Sequence, residues 1–208
     1  MPVSCGLLDA DVAFMDRAYL GRVIAPVFNR AKLSVMGLAA GAAASGARVT
    51  FNNMSGIQAF ANAVFLFVNI GGACYPNAFL DGGAAITWFA QVRARARGAE
   101  PAWPAAGALV CGARVTCAQA SQSPATPVVA RLLAAVEGAP RADPVLLFCR
   151  GGPDKGYVYC GKVVVRETQL GARPLRFVWR LVDFEALRRS EPFCALLRAD
   201  AGADADSV

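Results

Sequence analysis

Between Pro144 and Leu197 the chain reads PVLLFCRGGPDKGYVYCGKVVVRETQLGARPLRFVWRLVDFEALRRSEPFCALL, three apolar runs of strand length separated by Gly, Pro and charged turns. Val145 to Cys149 is continuously apolar, as a strand buried on both faces must be. GGPDKG, Gly151 to Gly156, has Gly residues and a Lys but neither the Walker spacing nor a following Ser or Thr, and reads as a hairpin turn. Tyr157 to Arg166 and Leu175 to Val182 then most simply form an antiparallel pair. Asp183 is placed to cap a helix, with Glu185 in the first turn, where a carboxylate favours the helix dipole. Phe184 and Leu187 can return to the sheet. Pro192 breaks or restarts the helix, and Phe193, Leu196 and Leu197 continue it as a second apolar turn.

The rest of the chain is expected to pack around this stretch. Residues 1–47 read as mainly helical, with Asp9 or Asp11 as caps and a small-residue connection from Gly37 to Gly46. VTF after Arg48, the β-branched and aromatic run from Ala63 to Ile70, and AITWFAQ read as strands, with NNMSG as a turn. In SQSPATPVVARLLAAV, Thr126 stands at a cap, Pro127 at the first helical position, and Val128, Leu132, Leu133 and Val136 lie along one face. The fold class expected is α+β: a mostly antiparallel sheet of six or seven strands, free to curl into an open barrel, with flanking helices. One domain spans 1–199, divided into a helical N-terminal segment (1–47), a sheet with an inserted helix (48–182) and C-terminal helices (183–199). The acidic tail 200–208 is expected to be disordered.

The chain contains no histidine. A Ser-His-Asp triad, a Cys-His dyad and any His-ligated zinc or nuclease site are thereby excluded. Its seven cysteines, at 5, 74, 111, 117, 149, 160 and 194, contain no CxxC pair, so neither a four-thiolate zinc site nor another metal centre is expected. Acidic residues are scattered, no base is placed to activate a nucleophile, no cofactor motif is present, and an enzyme is the least supported reading. Reduced thiols and the lack of a basic segment followed by an apolar block point to an intracellular protein, cytoplasmic or nuclear. Leu33 to Ala47 and Val49 to Leu80 carry no charge, yet Asn52, Asn53, Gln58, Asn62, Asn69, Pro76 and Asn77 are costly in hydrocarbon, which argues against a membrane span.

Function must therefore be sought on a surface. Strand alternation places Leu175, Phe177, Trp179 and Leu181 on one face and Arg176, Val178, Arg180 and Val182 on the other. On the preceding strand Tyr157, Tyr159, Gly161, Val163 and Val165 share a face, opposite Val158, Cys160, Lys162, Val164 and Arg166. If the cationic faces coincide, Lys162, Arg166, Arg176 and Arg180 form one patch with Arg173 at its edge, either a solvated sheet face or a surface for phosphates. Arg93, Arg95 and Arg97 set three guanidinium groups on one side of an extended segment, suited to a nucleic-acid backbone or else to a solvated loop. Tyr75, Asn77, Trp88 and Gln91 are the candidate base contacts near these cations, although an aromatic placed in a strand like Trp88 is more often part of a core.

The succession YPNAF, ITWFAQ, PVVARLL, VLLFCR, GYVYCGKV, RPLRFVWRL resembles the uncharacterised C-terminal domain of bacterial restriction-type helicases that also carry a phospholipase-D-like nuclease. Trp88 and Gln91, Leu147 to Arg150, Tyr159 to Gly161, and Arg173, Pro174, Trp179 and Leu181 occupy the places of that family's short motifs, over roughly residues 75–182. The resemblance implies a noncatalytic DNA-reading or accessory module, with a nuclease or helicase as partner and no catalytic residue to carry over. The chain departs from the pattern in the excursion from Arg93 to Gly112 and in having no helicase or nuclease segment. A net charge of +6 agrees with nucleic acid, DNA foremost, as the ligand. The competing reading is a structural or protein-interaction domain that meets an acidic partner.

Overall fold

Most of the expected strands assemble into one sheet in a computed structural model, which describes residues 2–27, 30–41, 48–70, 77–90, 126–136, 139, 142–172 and 174–205, while the strand after Arg48 pairs with Val3–Ser4 in a separate two-stranded parallel sheet. In chain order β1 (Val3–Ser4), α1 (Val12–Tyr19), β2 (Val23–Ile24), α2 (Ala31–Ala40) and β3 (Val49–Thr50) are followed by β4 (Ile57–Ala59), β5 (Val64–Asn69), β6 (Phe79–Leu80) and β7 (Ala85–Ala90). Then come α3 (Pro127–Ala134), β8 (Val145–Arg150), β9 (Tyr157–Gln169), β10 (Leu175–Leu181), α4 (Phe184–Leu187) and α5 (Glu191–Ala205). Hydrogen bonding orders the main sheet β4-β5-β8-β9-β10-β7-β6, with β2 added beside β9. Within it only β5 and β8 run parallel. The class is α+β. The sheet ends in β4 and β6, which do not pair with each other, so it is not closed into a barrel.

Helices cover both faces, which makes two cores. On one side Val129 and Leu132 of α3, Leu187 of α4, and Phe193 and Leu196 of α5 pack on Val64, Leu66, Leu147, Val158, Cys160, Phe177 and Trp179. On the other, Met15 of α1 and Val35, Met36 and Ala39 of α2 pack on Phe65, Phe67, Leu146, Phe148, Tyr157 and Tyr159. The continuous apolar runs of β5 and β8 follow from this, because both faces of a central strand must be apolar when both are covered.

Two irregularities in β9 change which side chains share a face. Opposite Leu146 to Phe148 the partners run from Lys162 to Tyr159, one residue too many, and Gly161 adopts φ +73°. This is a bulge with glycine in the left-handed region, where a side chain is strained. Tyr157 and Tyr159 therefore face α1 and α2, whereas Val163 and Val165 face α3 to α5. The single face expected for these four residues is thus corrected. A second extra residue, Arg166, falls between the pairs Trp179↔Val165 and Val178↔Glu167.

Residues 1–47 contain two helices but also β1 and β2, so the mainly helical reading holds only in part. Pro192 does restart the chain as a helix, at the second position of α5. The tail is corrected over residues 200–205: α5 continues to Ala205, and the Asp200 carboxylate accepts the N–H of Phe79 at 2.7 Å, while 206–208 lie outside the described residues. Asp183 precedes α4, but its side chain makes no cap bond and instead accepts the N–H of Lys162 at 3.3 Å. Among the described residues no helix is long and apolar enough to cross a membrane.

Candidate functional site

The cations expected on the β9–β10 face are brought together only partially, and most are neutralised. Lys162, Val164, Arg176, Val178 and Arg180 lie on the side of the sheet that β8 turns toward α1, as their pairings with Leu146, Gln169, Glu167 and Val164 require. Lys162 pairs with Asp16 of α1 at 2.8 Å, and Arg176 with Glu167 at 3.5 Å. Arg166, at the second bulge, pairs with Asp81. Asp81 lies in the tight turn between β6 and β7 with φ +52°, a conformation that Asp tolerates better than most residues. The Lys162 and Arg176 pairs are partly exposed, so each contributes about 0–1 kcal/mol and can be displaced, and the more exposed Arg166 pair is displaced at least as easily. What the pairing does change is the potential: Lys162, Arg166 and Arg176 each carry a counter-charge, and the face is mixed rather than basic.

Lys162 belongs to a tighter network that sequence reading missed. The Tyr159 hydroxyl, fully buried on β9, donates to one Asp16 oxygen at 2.7 Å while Lys162 Nζ donates to the other. Burial raises the Tyr159 pKa, and the neighbouring Asp16 carboxylate raises it further. The network fastens α1 to the bulge. Tyr159→Phe should lower stability in urea by about 1.5–3 kcal/mol, the size of a hydrogen bond to a charged group. The sign of its pH dependence follows from the raised pKa. The stabilisation is complete below pH 10.0, the ordinary tyrosine value, and is lost as pH rises beyond it. The Phe variant should show a shallower loss of stability in alkaline urea titrations.

Cations without carboxylate partners gather elsewhere, at the end of the sheet where the parallel strands β5 and β8 finish. Arg150 closes β8, and its guanidinium lies 4.7 Å from the ring centroid of Tyr157 on β9. Its Nε donates to Asn69 Oδ1, at the end of β5, and another nitrogen donates to the carbonyl of Pro153 in the hairpin turn. Lys32, in the first turn of α2, has its Nζ 5.0 Å from the centroid of Phe67. The rings of Phe67 and Tyr157 meet edge to face at 5.0 Å, so the two cations stand on adjoining aromatic rings.

The NNMSG turn supplies the rest of this corner. Asn52 Oδ1 accepts the N–H of Met54, Gln58 Nε2 donates to the carbonyls of Asn52 and Ser55, and the Gly56 carbonyl accepts the N–H of Phe67. Held in this way, the Asn53 and Ser55 carbonyls both accept from Lys32 Nζ at 2.8 Å. Burial lowers the Lys32 pKa to about 8, and the charge of Arg150 adds to the fall. Burial raises the pKa of Tyr157, with Arg150 acting against it. Lys155 is exposed in the same turn as Pro153, and exposed Arg30 immediately precedes α2. Among the described residues no ion pair involves Arg30, Lys32, Arg150 or Lys155. The sequence signal was faint: Lys32 is the sole charge between Arg30 and Arg48, and Arg150 is the charge that ends VLLFCR.

Of the candidate base contacts, Trp88 is corrected. It is buried in the core against Phe177, with ring centroids 5.7 Å apart, and no base can stack on it. Asn77 is half-buried, and its Oδ1 finds no partner among the described residues. Tyr75, Gln91, Arg93, Arg95, Arg97 and Arg173 lie outside the described residues. Cys5, Cys149, Cys160 and Cys194 are free thiols, and among the described residues no group of three or more Cys, Asp or Glu could hold a metal ion. Comparison with protein-family models, curated proteins and solved structures finds no match for this chain.

Proposed function

We propose that this chain is a noncatalytic nucleic-acid-binding domain, used alone or beside a nuclease or helicase as its sequence resemblance implies. The observation that supports it is the group of cations at the β8–β9 turn and the start of α2, Arg30, Lys32, Arg150 and Lys155, which has no carboxylate partner among the described residues. An uncompensated group of this kind attracts a polyanion, whereas the sheet-face cations must first give up Asp16, Asp81 or Glu167. Binding of duplex DNA is expected to weaken with salt, the slope of log affinity against log salt falling by about 0.9 for each phosphate contact removed. Arg30→Ala with Lys155→Ala should make that slope shallower by about two contacts. Arg166→Ala with Arg176→Ala should change it less. Fluorescence anisotropy with a labelled duplex at several salt concentrations measures both. Absence of binding at low salt, or affinity indifferent to salt, would overturn the reading.

A second reading has its own support. The alternation of Arg166, Arg176 and Lys162 with Asp81, Glu167 and Asp16 is a mixed-charge face that suits a protein surface better than a uniform polyanion. It gains weight if the Arg166/Arg176 variant loses a protein partner while DNA binding is unchanged.

A further inference from the structure

We propose that Lys32 and Arg150 form a receptor for a phosphate monoester dianion, presented either by the terminal phosphate of a nucleic-acid strand or by a free phosphate compound. The strand-end form rests on the nucleic-acid reading above; the phosphate site itself does not.

The site is defined by how the two cations are held. Arg150 is braced by Asn69 Oδ1 and the Pro153 carbonyl and laid against Tyr157, which leaves most of its five N–H donors for a ligand. Lys32 is braced by the Asn53 and Ser55 carbonyls and laid against Phe67, which leaves one of its three. None of these six supports is a carboxylate. Both cations are therefore positioned by neutral groups, and among the described residues no carboxylate pairs with either charge.

That arrangement costs stability in the folded protein unless an anion joins it, and the pKa of Lys32, lowered first by burial and then by the charge of Arg150, reflects both the desolvation and the repulsion. A dianion relieves two charges at once, which distinguishes a terminal phosphate from the singly charged phosphodiesters along a strand. The guanidinium offers paired donors to phosphate oxygens, and the ammonium offers a point charge. Lys32 also lies in the first turn of α2, where the helix dipole favours negative charge. Asp154 is the carboxylate in the adjoining turn, and it forms no ion pair with either cation.

Occupation of the site should restore the proton to Lys32. A phosphate bound there raises the Lys32 pKa from about 8 toward the ordinary lysine value, so affinity declines as pH rises through 8. The groups facing Lys32 are Arg150 and the Phe67 ring from the sheet and the carbonyls of Asn53 and Ser55. Tyr157, on the far side of the Phe67 ring contact, has its own pKa raised by burial, away from this range.

The test compares a 5′-phosphorylated oligonucleotide, the same strand with a 5′-hydroxyl, and inorganic phosphate, each against the full chain and against Arg150→Gln. Lys32→Met, with its melting curve checked, serves as the second variant. The expected result is a preference of about tenfold for the phosphorylated strand, competed by inorganic phosphate and lost in both variants. NMR of the lysine side chains should show Lys32 titrating near pH 8 and moving upward with phosphate. Binding of inorganic phosphate with this Lys32 response, but of neither strand, would uphold the site and overturn the nucleic-acid reading. Strand binding with no preference for the phosphorylated end and no competition by phosphate would overturn the site and leave that reading standing. A preference that survives in Arg150→Gln would also overturn the site.

Discussion

Trp179→Ala is expected to lower the unfolding free energy by about 3–5 kcal/mol, a large share of what a domain of this size has. Trp179 is fully buried on β10, stacked on Phe177 with centroids 5.4 Å apart and planes 8° from parallel, in the core beneath α3, α4 and α5. Alanine leaves a cavity between a rigid sheet and three helices, and packed interiors close such voids poorly. The indole Nε1 has no hydrogen-bond partner among the described residues, so Trp179→Phe removes an unsatisfied donor as it removes volume. It should cost markedly less than alanine. Urea unfolding followed by circular dichroism measures both, and a midpoint unchanged in Trp179→Ala would mean that β10 is not in this core.

Gly161→Ala should be nearly as damaging, by about 2–5 kcal/mol, from two causes that add. A left-handed backbone costs an L residue about 1–2 kcal/mol, and forcing a methyl into filled space costs about 1–3 kcal/mol. At φ +73° a Cβ on residue 161 would stand 2.6 Å from Asp183 Oδ2 and 2.8 Å from Leu20 Cδ1. Movement of Asp183 would also disturb its bond from the Lys162 N–H, and with it the approach of Lys162 to Asp16. The same urea experiment applies. Full stability in Gly161→Ala would show that the bulge is not needed to carry β9 from one core to the other.

Much of the fold could be read locally. Val145 to Cys149 had to be a central strand because nothing in it tolerates water. GGPDKG had to be a turn, and Pro127 had to open a helix, because backbone preferences of Gly and Pro act within a few residues. Leu175, Phe177, Trp179 and Leu181 share a buried face as their alternation required. Alternation failed on β9, where one glycine resets the period and sends Tyr159 and Val163 to opposite cores. A Gly in a strand is a known sign of a bulge, but whether the register slips there depends on the partner strand.

The candidate site was much less legible. Lys162, Arg166 and Arg176 were visible as cations, but their effective charge depends on Asp16, Asp81 and Glu167, two of which arrive from distant regions of the chain. Nothing local marks Lys32 or Arg150 as an anion site, since each is a single charge at or within an apolar stretch. They are brought near each other only by the packing of α2 on the sheet, which sets Lys32 over Phe67 beside the Tyr157–Arg150 pair.

By itself, then, the sequence determined the strands, turns and helix starts, the absence of histidine chemistry and the surplus of positive charge, because these are settled by residue type and by neighbours a few positions away. The tertiary structure alone decided that helices cover both faces, that the tail continues α5 to Ala205, and which cations keep an unopposed charge. Burial and Coulomb interaction depend on distance in space, and for Lys32 and Arg150 that distance is set by the packing of α2 against the sheet.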